Sequence, residues 1–99
     1  MILGMGPGQP IKTQENGAMQ SDIPYAFHLM PPNALFQVAR VLHKGAQNYG
    51  VDNWRGIAPR EHINHAIAHL YAELAGDTTD EHLAHAACRV LMALDLDNA

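Results

Sequence analysis

Cysteine is nearly absent from this 99-residue chain: Cys88 stands alone. That excludes an internal disulfide and a thiolate zinc cage, and it fits a reducing compartment. Basic charge is also scarce, with six Lys and Arg against ten Asp and Glu and a net charge of −4. Without a basic stripe to neutralise a row of phosphates, neither DNA nor RNA is an expected partner. No apolar run is long enough to span a bilayer, so no membrane association is expected. The opening MILGMGPGQP has neither a positive start nor a 7–15-residue apolar stretch, which gives no secretory signal and an expected cytoplasmic location. Missing too are a glycine-rich phosphate loop, an HExxH pair and an adjacent His-Asp pair; GMGPG contains proline and leads into no helix.

What remains is one small domain whose thin core, burying roughly 60–65% of the unfolded surface, calls for completion by a partner copy. Residues 1–31 hold four glycines and four prolines and read as an extended or partly disordered N-terminal arm without a convincing strand. Residues 32–99 read as an all-α body, a small bundle of three main helices. The first is expected to start with Asn33 as its N-cap and to run through Leu35, Val38, Val41 and Leu42 until Gly45 stops it. From Gly45 to Pro59 the pattern becomes a loop carrying Tyr49 and the single tryptophan, Trp54. The second helix spans about Arg60–Ala75, with Ile63, Ile67, Leu70 and Leu74 as its expected buried stripe and His62, His65, His69 and Glu73 as an adjoining polar one. The third opens with Thr78-Thr79-Asp80-Glu81, which has the pattern of a capping box. It continues to about Leu96, with Leu83, Ala87, Val90 and Leu94 expected in the core and His82, His85 and Arg89 on another face.

Histidine is the abundant exception, with seven residues, five of them at positions 62, 65, 69, 82 and 85. Imidazoles three or four apart on a helix can share an ion, and Asp77, Asp80 and Glu81 add carboxylates close by. Such a mixed set suits manganese, cobalt, nickel or zinc better than magnesium. The same spacing is equally that of histidines solvated on polar faces. In the loop, Tyr49, Asn53, Trp54 and Arg55 could stack a nucleobase, bond its edge and hold a phosphate; a loop pinned by a buried tryptophan has the same composition. Cys88, mid-helix beside alanines, reads as core.

The series MPPNAL, ARVLHKGAQNYG, DNWRGI, HAIAHLYAELAGD and DEHLAHAACRVLMAL resembles the phage-encoded dATP/dGTP diphosphohydrolases, relatives of the all-α, MazG-like nucleotide pyrophosphohydrolases. It covers about residues 29–95. The resemblance implies hydrolysis of a purine deoxynucleoside triphosphate to monophosphate and pyrophosphate in a homo-oligomer, in the host cytoplasm if phage-encoded, with a divalent metal: magnesium or manganese, cobalt or zinc as alternatives. Carried onto this chain it makes His69, Glu73, Asp77, His82 and His85 the metal candidates and Glu73, His69 and His85 the catalytic ones. Tyr49, Asn53, Trp54 and Arg55 become nucleotide contacts, and Lys44 a phosphate contact. The E-E-x-x-E and E-x-x-D strings of better-known MazG-like enzymes do not occur. The remaining alternative is a non-catalytic nucleotide-binding or helical interaction module.

Overall fold

The computed structural model describes residues 2–98, and its chain divides into two compact units, Met1–Met30 and Pro31–Ala99. The first unit is not strand-free. Strands β1 (Ile11–Thr13) and β2 (Met19–Ser21) pair antiparallel, with Ile11 opposite Ser21 and Thr13 opposite Met19. The turn explains the difference. The Asn16 side chain accepts from the Ala18 N–H, and Gly17 takes φ 89°, the left-handed backbone that an Asn-Gly pair supplies at low steric cost. A 3-10 turn at Phe27–Leu29 follows.

The second unit is the expected three-helix body. Helix α1 runs from Pro32 to Tyr49, longer at both ends than the pattern predicts. Pro31, not Asn33, is its N-cap, and Pro32 supplies a preset φ at the first helical position. Gly45 does not stop it, because one glycine inside a helix costs only about 1 kcal/mol. The stop is Gly50, at φ 95°, whose N–H donates to the Ala46 carbonyl. Tyr49 therefore sits on the last turn of a helix and not in a loop. Between α1 and α2 a 3-10 turn, Asn53–Gly56, is entered through Asp52 in a left-handed conformation.

Helix α2 spans Pro59–Leu74 and α3 spans His82–Asp97. A Schellman motif closes α2: the Gly76 N–H donates to the Glu73 carbonyl and the Asp77 N–H to that of Ala72, with Gly76 at φ 82°. The Thr78–Glu81 capping box does not form. Thr79 donates instead to Asp77, Asp80 accepts from the Glu81 N–H, and the Glu81 carboxylate is bonded by Arg40 of α1, so α3 begins at His82, with Glu81 and not Thr78 as its N-cap.

Most consequential is which faces are buried. Helices α2 and α3 make the more extensive contact and α1 packs on α3. The inward residues of α2 are His62 and Ala66, and those of α3 are His82, Ala84, Ala86, Cys88 and Ala93. The stripes expected in the core, Ile63, Ile67, Leu70 and Leu74 with Leu83, Val90 and Leu94, are exposed, Leu74 by 82%; Ala87 is exposed too. Small alanines permit close helix approach, and His69 and His62 find hydrogen-bond partners on α3 in His82 and Arg89, so this part of the polar stripe of α2, and not its aliphatic stripe, faces α3.

Val38 and Val41 of α1 meet Ala84 and Cys88 of α3, flanked by Met92. The Cys88 thiol donates to the Val38 carbonyl at 3.4 Å, and burial pushes its pKa up from 9.0 to about 11. At neutral pH that leaves about a hundredfold less thiolate than an ordinary thiol at 9.0 would carry. Native protein is expected to react with a disulfide reagent at least that much slower than the urea-unfolded chain; equal rates in the two states would contradict the buried placement.

Candidate functional site

A cleft of 670 Å³ opens between the end of α1, the 3-10 turn and the facing sides of α2 and α3. It joins two groups of residues that are remote in sequence. Lys44, Tyr49, Asn53 and Trp54 line one part, and His69 and His85 line the other. Asn48, Asp80, Glu81 and Arg89 also contribute to the wall. Arg55 does not. Its guanidinium stacks on the Trp54 ring at 4.3 Å and bonds Asp52 at 3.1 Å and Asp95 at 3.4 Å, on the side of a neighbouring groove. Glu73 is exposed and outside the lining, as is His65.

Behind the cleft wall runs a short proton-ordered chain. His82 Nε2 lies 2.5 Å from the Asp77 carboxylate, and His82 Nδ1 lies 2.9 Å from His69 Nδ1. The carboxylate can only accept, so His82 donates to it through Nε2–H. With both rings neutral, His82 Nδ1 then accepts from His69 Nδ1–H, and His69 Nε2 is left with its lone pair. Against His69 the ring of His85 stacks nearly parallel, centroids 4.9 Å apart, while His85 Nε2 reaches Asp80 at 3.3 Å. Partial burial first, then the neighbouring His85 and His82, hold the His69 imidazole below its usual range. The hydrogen bond from His82, followed by that from Thr79, holds Asp77 low; the Glu81 N–H does the same for Asp80.

These directions fix the sign of an acid response. The unfolded chain protonates His69 at its ordinary 6.5, and native His69 only at lower pH, so stability falls as pH drops from 6.5 toward the native value. Asp77 and Asp80, lowered from 3.8, contribute stability that is present above 3.8 and lost as pH falls through their native values. Urea midpoints measured from pH 8 to pH 3 are expected to decline in two stages, with His69→Gln flattening the first. A midpoint that stays constant between pH 7 and pH 5 would contradict the assignment.

A second buried imidazole ties the site together. His62 is fully buried, at 0% exposure, and its Nε2–H donates to the Trp54 carbonyl at 2.9 Å. Its Nδ1 accepts from Arg89 Nη1 at 3.1 Å. One α2 side chain thus holds both the 3-10 turn and an α3 side chain.

The five residues expected to hold a metal do not enclose one. Among the described residues no three His, Cys, Asp or Glu side chains are placed to hold an ion. Both nitrogens of His82 are engaged by Asp77 and His69, and Glu73 points into none of these contacts.

A family model described as dATP/dGTP diphosphohydrolase, N-terminal, matches residues 14–99. The chain belongs to this family. No curated protein and no solved structure matches it. The match to the dATP/dGTP diphosphohydrolase family takes in the whole helical unit and β2 of the hairpin. Among the described residues of this family member, no helix is long and apolar enough to cross a membrane. The sequence pattern singles out Tyr49, Asn53, Trp54, His69 and His85, and these share the cleft. It gives no role to Arg89, although Arg89 follows His85 by one helical turn and His82 by two, a spacing that puts all three on one face.

Proposed function

We propose that this chain hydrolyses a purine deoxynucleoside triphosphate, dATP or dGTP, to the monophosphate and pyrophosphate. The observation that carries the reading is that one cleft joins aromatic rings and an amide to a pair of imidazoles, with a volume inside the range of small-molecule sites, roughly 300–1,000 Å³. Tyr49 and Trp54 offer ring faces to the base, Asn53 can bond its edge, and Lys44 is a point charge for phosphate. Trp54 has one face covered by Arg55, so Arg55 fixes the ring and does not hold phosphate. A water attacks the α-phosphorus, the bond from that phosphorus to the oxygen bridging to the β-phosphorus breaks, and pyrophosphate leaves. His69 Nε2, with its lone pair, takes the proton from the attacking water.

A divalent cation, magnesium or manganese, with cobalt or zinc as alternatives, belongs to this proposal as an escort of the triphosphate. Magnesium commonly keeps several waters and is held by one or two carboxylates plus substrate phosphates, which is consistent with the lack of a three-ligand cluster among the described residues. Glu73 takes no part in the scheme. A second reading, a module that binds nucleotide without turning it over, would use the same cleft and aromatic wall.

A homo-oligomer is the third element. Exposed Ile63, Ile67, Leu70 and Leu74 on α2, with Leu83, Val90 and Leu94 on α3, recur at helical spacing, and a second copy of the chain would cover them.

Pyrophosphate release from deoxy- and ribonucleoside triphosphates, compared in magnesium and manganese, tests the reading. Turnover confined to dATP and dGTP is the expected result. Binding without release selects the second reading, and neither binding nor release overturns both.

A further inference from the structure

The charges of the cleft do not cancel one another evenly. Each carboxylate of its wall already has a partner: Asp52 bonds Arg55, Glu81 bonds Arg40, and Asp80 meets His85. Among the described residues, neither of its two cations, Lys44 and Arg89, forms an ion pair. Among the described residues, Arg40 and Arg55 bond carboxylates. Arg89 has instead a neutral nitrogen, His62 Nδ1, which engages one N–H of a guanidinium that carries five. The acceptor is fixed on its other side, because His62 Nε2–H is committed to the Trp54 carbonyl. His62 is fully buried and cannot turn away to solvent.

From this we infer that Arg89 is an anion contact of the cleft for the phosphates of a phosphorylated ligand, and that His62 is its positioning residue. The inference rests on the nucleotide reading of the same cleft and adds a second phosphate contact beside Lys44. A neutral acceptor orients the guanidinium without neutralising it, whereas a carboxylate in the same place would do both. The remaining N–H groups form a planar fork that matches two oxygens of one phosphate. The bond to the Trp54 carbonyl links this cation to the segment bearing the aromatic wall, so the charge and the backbone that carries the ring are tied to a single side chain.

Calorimetric titration of the full chain with inorganic tripolyphosphate and, separately, with 2′-deoxyadenosine, both in magnesium buffer, tests the inference. Arg89→Met is expected to weaken tripolyphosphate binding about tenfold or more, the usual scale for losing charge-assisted hydrogen bonds, and to leave deoxyadenosine binding unchanged. Arg89→Lys should recover part of the loss. His62→Phe, which keeps ring volume, should weaken tripolyphosphate in the same direction, and the double variant should be no weaker than Arg89→Met alone, since His62 acts through Arg89. Because His62 is buried, Arg89→Met and Arg89→Lys, at a partly exposed site, decide the outcome if His62→Phe fails to fold. Tripolyphosphate affinity within twofold of wild type in Arg89→Met overturns the inference while leaving nucleotide hydrolysis standing. Wild-type protein that binds neither tripolyphosphate nor nucleotide overturns both.

Discussion

His69→Ala is expected to lower the turnover of dATP or dGTP by about 10²–10⁴-fold, the range over which a positioned general base usually contributes, while nucleotide affinity changes only a few-fold. The reason is the direction of the hydrogen bonds. Asp77 accepts from His82 and His82 accepts from His69, so the nitrogen of His69 without a partner among the described residues is the one holding a lone pair. Partial burial and two neighbouring imidazoles keep that ring below its ordinary pKa, so it is in its basic form at neutral pH. His82→Ala should reduce turnover less, since it removes the orienting bond and leaves the base, and its main effect should be a changed pH profile of kcat. Single-turnover kinetics with radiolabelled dATP, run beside thermal melts, separates lost chemistry from lost fold. A His69→Ala rate within threefold of wild type would remove His69 from the mechanism.

Ile67→Glu or Val90→Glu is expected to abolish self-association and barely alter the helical unit itself. In one chain both residues are about half exposed, so a charge there changes intrinsic stability by only about 0.5 kcal/mol. Across a helix-to-helix contact between copies, the same charge would be desolvated without a partner. Penalties of several kcal/mol per ion are usual there, corresponding to a dissociation constant raised 10²-fold or more. Sedimentation velocity over a hundredfold range of protein concentration should show wild type as an oligomer and either variant as a monomer with an unchanged far-ultraviolet spectrum. Wild-type protein that is monomeric throughout would leave the aliphatic faces without the occupant assigned to them.

The sequence makes element type plain and burial difficult to read, for a physical reason. Proline at positions 31, 32 and 59 and glycine at 50 and 76 bracket the helices through backbone geometry, which is local. Gly45 misleads because a glycine within a helix is tolerated when another, five residues on, can take the positive φ. Burial is not local. Ile63, Ile67 and Leu70 have the period of a core stripe, and whether such a stripe meets its own chain or another copy depends on what the remaining helices present. His69 and His62 of the histidine stripe face inward because His82, itself held by Asp77, bonds His69, while Arg89 and the Trp54 carbonyl bond His62. These partners stand 5 to 27 residues apart in sequence, and helical periodicity within one segment carries no information about most of them. The cleft is legible in its parts, rings in one segment and imidazoles in two others, while their meeting depends on α1 continuing to Tyr49.

Trp54 borders the cleft and the neighbouring groove and is the only tryptophan in the chain. Its ring is capped by a guanidinium on one side, and its carbonyl is fastened to a buried imidazole. The protein therefore carries its own optical reporter. Excitation at the red edge of the indole absorption band, beyond that of tyrosine, would address a single ring whose emission reads ligand entry from either groove, so that occupancy can be followed in the unlabelled chain without any extrinsic dye.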